Sequence, residues 1–177
     1  MKRRVFIQKS LGAGAIAGTA LAFGDISSLL ASEIFLPLLP YDLVAVKGGE
    51  PEAMFDKAIL SLGGMKTFVK KGQKVVLKPN IGWDVSPERA GNTNPKLVAR
   101  IIKHCLDAGA GEVYVFDNTC DNWVKCYKNS GIEKAVKDAG GKMAPANTEG
   151  YFQAVQVKQG KKLKTAKVHE LIVKLKK

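Results

Sequence analysis

Lys78 and Asn80 flank Pro79 just after the apolar run Val75-Val-Leu77, and Asp117 and Asn118 close a second run, Glu112-Val-Tyr-Val-Phe-Asp117. An ammonium, a carboxylate and two amides at neighbouring strand ends are groups that can hold an anionic ligand or cofactor. The lysine supplies charge and the amides supply directed hydrogen bonds. Thr93-Asn-Pro-Lys96 adds Asn94 and the start of a helix, whose first N–H groups lack intrahelical acceptors and favour an anion. The same residues carry a plainer reading, in which Lys78 pairs with Asp117 and the polar residues cap helices, and both readings stay open. Cys120, Asp121 and Cys126 form a second constellation, suited to a metal or an iron–sulfur cluster. Two cysteines fall short of the usual four ligands, so a partner chain or a further segment would have to complete the set. A Cys120–Cys126 disulfide competes with that reading. No Ser–His–Asp set, HExxH or paired glycosidase carboxylates stand out, which ranks hydrolases low and leaves the reaction unnamed.

Periodicity gives the strands and helices around these groups. A short continuous apolar run such as 75–77 suits a strand buried on both faces, here taken as the central one, and Pro79 ends it near Lys78. Leu97, Val98, Ile101, Cys105 and Ala108 recur at helical spacing from Pro95, with Asn92, Thr93 or Asn94 as cap and Gly109 to Gly111 as stop. Strand, helix, strand implies parallel pairing, so Lys78, Asn80, Asp117, Asn118 and Asp121 converge on one sheet edge, where α/β proteins bind ligands. Cys105 on the stripe reads as a core thiol, and His104 at its edge as structural.

Upstream, Asp42-Leu-Val-Ala-Val-Lys47 reads as a first buried strand. Gly48-Gly49 reads as a turn rather than a phosphate loop, and a helix carries Phe55, Ala58, Ile59 and Leu62. Downstream, Ser130-Gly-Ile-Glu133 predicts a capping box before a helix carrying Ile132, Ala135, Val136 and Ala139. Lys142 to Ala146, with Pro145, predicts an edge strand, and the pattern from Tyr151 predicts a hairpin turning near Gln159-Gly160. The fold class is therefore α/β, three-layered, with a mostly parallel sheet of βαβ units, an edge strand and a C-terminal hairpin, and with an incomplete sheet as the alternative.

The formal charge of +12 resides at the two ends. The first 22 residues carry +4 and residues 154–177 carry +7, leaving the body about neutral. Without aromatic interleaving or a reader motif, this pattern gives no nucleic-acid interface. Lys2-Arg-Arg-Val-Phe6, a modest Gly/Ala-rich apolar segment and Ala20-Leu-Ala22 resemble a twin-arginine export signal. The expected organisation is a leader at 1–22, a linker at 23–40, an α/β domain at 41–171 and a basic tail at 172–177. Export by the twin-arginine translocase to the periplasm or another extracytoplasmic compartment follows, with no stable membrane span.

Val75-Val-Leu-Lys-Pro-Asn80, Thr93-Asn-Pro-Lys96, Ala108-Gly-Ala-Gly-Glu-Val-Tyr-Val115 and Ser130-Gly-Ile-Glu133 together resemble the family catalogued as domain of unknown function 362. The resemblance runs from about Tyr41 to Leu171 and matches the family's motif at Lys78, Pro79, Asn80, Asn94 and Pro95. It implies an α/β architecture, frequent twin-arginine signals and, in some members, joined iron–sulfur modules or a partner redox protein. Members usually run on through a segment resembling Asn-x-Pro-x-Leu-Lys-x-His, which has no counterpart here. Three functions are carried forward: an exported binder of an anionic ligand or cofactor, in a redox setting or not; a metal or iron–sulfur protein; and a fragment without independent activity.

Overall fold

The computed structural model describes residues 41–175. The leader at 1–22, the linker at 23–40 and the end of the basic tail lie outside the described residues.

Three short parallel strands form the sheet: β1 (Lys74–Leu77), β2 (Glu112–Val115) and β3 (Lys142–Met143), in spatial order β1-β2-β3. Lys74 stands opposite Glu112, Leu77 opposite Val115, and Tyr114 opposite Lys142. Helix α1 (Pro51–Ser61) precedes β1, and α2 (Pro95–Asp107) joins β1 to β2. Helices α3 (Trp123–Asn129) and α4 (Ile132–Asp138) join β2 to β3. An antiparallel hairpin, β4 (Phe152–Gln156) and β5 (Thr165–His169), runs directly into α5 (Glu170–Lys174). Among the described residues, no helix is long and apolar enough to cross a membrane.

Strand alternation divides the core between the two faces of the sheet. On one face Val113 and Val115 pack with Val98, Ile102 and Cys105 of α2 and with Ile132 and Val136 of α4. On the other, Tyr114 and Val76 meet Phe116, Ala144, Ala146, Phe152 of the hairpin and Leu171 of α5. Helix α2 begins as its sequence requires: the Asn94 side chain accepts the Lys96 N–H at 2.9 Å, and Pro95 occupies the first turn, where its missing N–H costs nothing. Its buried residues are Val98, Ile102 and Cys105, so the stripe is rotated to place Ile102 fully inside.

Three expectations need correction. Residues 42–47 join no sheet: Val44 and Val46 are half-buried, Leu43 is 80% exposed, and no partner strand lies beside them among the described residues. An extended apolar run becomes a strand only when another backbone completes its ladder. The run at 74–77 is an edge strand and only half-buried, while β2 is central. The Ser130 box does not form, because Gly131, at φ +72°, is the residue that enters α4; Ser130 Oγ instead accepts the Ile132 N–H at 3.3 Å. Helix α3 is an addition to the sequence reading.

The amino edge of the sheet is held by charge. Glu112 of β2 pairs with Lys74 of β1 at 2.8 Å and with Lys142 of β3, so one carboxylate bridges all three strands. Both lysines favour its ionised form, Lys142 most, and hold its pKa at about 2, against an ordinary value of 4.5. The folded-state value lies below the unfolded one, so the contribution is present above about pH 4.5 and is lost as the pH falls toward 2. Glu112→Gln is expected to lower the urea midpoint at pH 7 and to make its decline between pH 4.5 and 2 shallower than in the parent. The slope that remains belongs to the other paired carboxylates, Asp56 foremost. Equal slopes in parent and variant would show that Glu112 does not tie the strands.

Candidate functional site

Beyond Val115 the ladder continues for one more bond, from Phe116 N–H to Leu77 O at 3.3 Å, and the chain then buries Asp117 to 5% exposure. A buried carboxylate needs partners for both oxygens. Oδ2 accepts the Ile81 N–H at 2.7 Å, and Oδ1 pairs with the ammonium of Lys78. The backbone of Asp117 is held as firmly: its N–H donates to Tyr127 Oη at 3.0 Å, and that hydroxyl donates back to the Asp117 carbonyl at 2.9 Å. Burial pushes the Tyr127 phenol above its ordinary value, consistent with its service as a neutral donor and acceptor.

The amides near Lys78 are engaged with the fifteen-residue loop 79–93. Asn80 exchanges two bonds with Thr93: its N–H donates to Thr93 Oγ1 and its carbonyl accepts the Thr93 N–H, both at 2.9 Å. Its side chain donates to Gly91 O and accepts the Gly82 N–H, each at 3.1 Å. Asn92 closes on Trp83 with a reciprocal pair at 3.0 and 2.9 Å, and Asp121 accepts the Asp84 N–H at 3.0 Å. The structure thus brings Lys78 and Asp117 into contact, and Thr93 joins Asn80 to the start of α2. Asn94 stays on its helix as the cap.

Asn118 leaves this cluster and lines a crevice of about 310 Å³ with Ala146, Asn147, Thr148, Glu149, Phe152 and Lys167. Asn118 follows β2, Ala146 to Thr148 follow β3, and the hairpin supplies Phe152 and Lys167, so the crevice lies at the carboxyl ends of two parallel strands. Lys167 Nζ meets Glu149 Oε2 at 2.8 Å, and that lysine holds the Glu149 carboxyl below its ordinary pKa. His169 fixes the hairpin here. Its Nε2 lies 2.9 Å from Pro145 O, which can only accept, and its Nδ1 lies 3.2 Å from the Leu171 N–H, which can only donate. The proton is therefore on Nε2, and the ring stacks on Phe116 at 3.9 Å. Sequence reasoning missed Asn147, Thr148, Glu149 and Lys167. The strand-end rule that singled out Asn118 points equally to the residues after β3, but the return of the hairpin has no local signal.

Cys105, Cys120 and Cys126 are free thiols. Cys126 Sγ donates to Gly82 O at 3.6 Å from a buried position, Cys120 is exposed, and Asp121 is engaged with Asp84. No group of three metal-ligating side chains occurs among the described residues. A larger hollow of about 490 Å³ lies on α1 and α2, where Glu50, Glu52 and Asp56 face Lys96, Arg100 and Lys103. Asp56 accepts two bonds from Arg100, at 2.7 and 2.8 Å, and contacts His104 Nε2 at 2.8 Å. Arg100 holds its carboxyl at about 2. These pairs join helices α1 and α2.

Asp117→Ala strands the Ile81 N–H and the lysine and is expected to cost about 1–3 kcal/mol. Lys78→Ala leaves the buried carboxylate without its cation, at an expected cost of about 1–2 kcal/mol, solvent at the exposed ammonium reducing the loss. Urea denaturation measures both. An unchanged midpoint for Lys78→Ala would return Lys78 to the list of unencumbered ligand-binding groups.

Comparison with curated proteins and with solved structures gives no match. A family model described as Domain of unknown function (DUF362) matches residues 75–176, a span that opens on β1 and takes in Lys78, Asp117, Asn118 and the hairpin. That span covers more than half of the sequence, and the chain belongs to the DUF362 family.

Proposed function

We propose that the protein binds a small anionic ligand in the crevice formed by Asn118, Asn147, Thr148, Glu149, Phe152 and Lys167. The observation that carries this reading is the state of Lys167. Its partner Glu149 is 87% exposed and the lysine itself 62% exposed, so the pair is of the solvent-screened kind worth little. A ligand carboxylate or phosphate can replace Glu149 at the ammonium with small loss, while the amides of Asn118 and Asn147 and the hydroxyl of Thr148 offer donors around it. Phe152 and Ala146 give the crevice an apolar wall, the usual mixture for a small-molecule site. Lys78 is a positioning residue in this scheme: with Asp117 it sets the strand end from which Asn118 projects. The leader at 1–22 supports export of the folded domain, which would put the crevice in an extracytoplasmic compartment.

Inorganic phosphate and citrate serve as probes in calorimetric titrations at low ionic strength. The parent is expected to bind at least one of them saturably. Lys167→Gln should weaken that binding about tenfold, the factor that corresponds to about 1.4 kcal/mol, and Glu149→Gln should strengthen it by freeing the ammonium. Absence of saturable binding in the parent, or equal affinity in Lys167→Gln, would overturn the proposal.

A further inference from the structure

We propose that Cys120 and Cys126 are a convertible thiol pair, which closes to an intramolecular disulfide on exposure to a small-molecule disulfide such as oxidised glutathione. Both cysteines converge on Gly82. Its carbonyl accepts the Cys120 N–H at 2.9 Å and the Cys126 S–H at 3.6 Å, so one oxygen holds the backbone of the first and the sulfur of the second. The Cys120 sulfur lies 3.6 Å from the point a Cβ on residue 82 would occupy, so both sulfurs border the same residue.

The two thiols differ in access as an attacking and a resolving cysteine must. Cys120 is exposed on the loop before α3, whereas Cys126 is 0% exposed within α3. In the first step the Cys120 thiolate attacks one sulfur of the small disulfide. That S–S bond breaks, a mixed disulfide forms on Cys120, and one small thiolate leaves. Cys126 then attacks the Cys120 sulfur, forming the Cys120–Cys126 bond and expelling the second small thiolate, which takes up the Cys126 proton as it leaves. Two protein thiols are oxidised and one small disulfide is reduced to two thiols. Burial of Cys126 is no obstacle, because its attack comes from inside the protein. The motion costs one S–H···O contact, a weak bond. Cys105, buried on α2 and packed in the main core, takes no part and serves as the internal standard.

The full chain is incubated with oxidised glutathione, denatured, alkylated and weighed, with peptide mapping. Alkylatable thiols should fall from three to one, the mass should drop by two hydrogens with no glutathione retained, and dithiothreitol should restore all three. Cys126→Ser should stop at a glutathione adduct on Cys120. Cys120→Ser, a change on an exposed loop that leaves the core intact, should lose no thiol. The inference is overturned if the parent keeps glutathione on Cys120 with Cys126 still alkylatable, if all three thiols survive, or if the disulfide joins two chains.

Discussion

The carboxyl edge of this sheet depends on one buried carboxylate. Asp117 at 5% exposure would be untenable alone, and each partner that makes it tenable comes from a different part of the chain. For the carboxylate, Lys78 comes from the end of β1 and Ile81 from the loop that follows, while Tyr127 of α3 holds the backbone N–H and carbonyl of the same residue. Satisfying one residue therefore fixes where the loop leaves β1, where the chain leaves β2, and how α3 lies against both. A long irregular loop inside a small domain usually carries unsatisfied polar groups toward the surface. Here the loop 79–93 is closed at its base by Asn80 and Thr93, and across its middle by Asn92 and Trp83.

Short strands make such clamps necessary. β3 has only two residues in the ladder and β1 and β2 four each, so backbone bonding alone leaves little resistance to fraying. Glu112 at one end and Asp117 at the other restrain the sheet where the ladder runs out. Between them, Val113 and Val115 bury almost completely against α2 and α4. The opposite face is closed by a smaller cluster, and His169 is its pin: one ring joins the residues after β3, the end of β5 and the first turn of α5.

Features determined by local interactions were legible in the sequence. Pro79 ending β1, Asn94 and Pro95 opening α2, and the strand that begins at Glu112 each follow from neighbours within a few residues, and each is found. Features determined by distant partners were not. Residues 42–47 have the composition of a strand but no ladder beside them among the described residues. Helix α3 escaped notice because its buried residues, Cys126 and Tyr127, are adjacent, while Trp123 and Val124 face outward, so no stripe at spacings of three and four announces it. Phe152 and Lys167 reach the crevice from the hairpin, whose return over the sheet is accompanied by the Phe116–His169 stack and announced by no motif.

The contrast between Lys78 and Lys167 shows why a lysine at a strand end does not by itself mark a binding site. Their side chains are similarly exposed, at 57% and 62%, and both are paired. What differs is the carboxylate. Asp117 is buried, where little water competes for it, and it also holds a backbone N–H, so removing its cation disturbs the fold. Glu149 is exposed, and water or another anion can take its place at the lysine with little change elsewhere. The burial of the partner decides which cation is structural and which is free to exchange. That quantity is set by tertiary packing, and it is the reason the anion site we propose is the crevice beside the hairpin and not the end of β1.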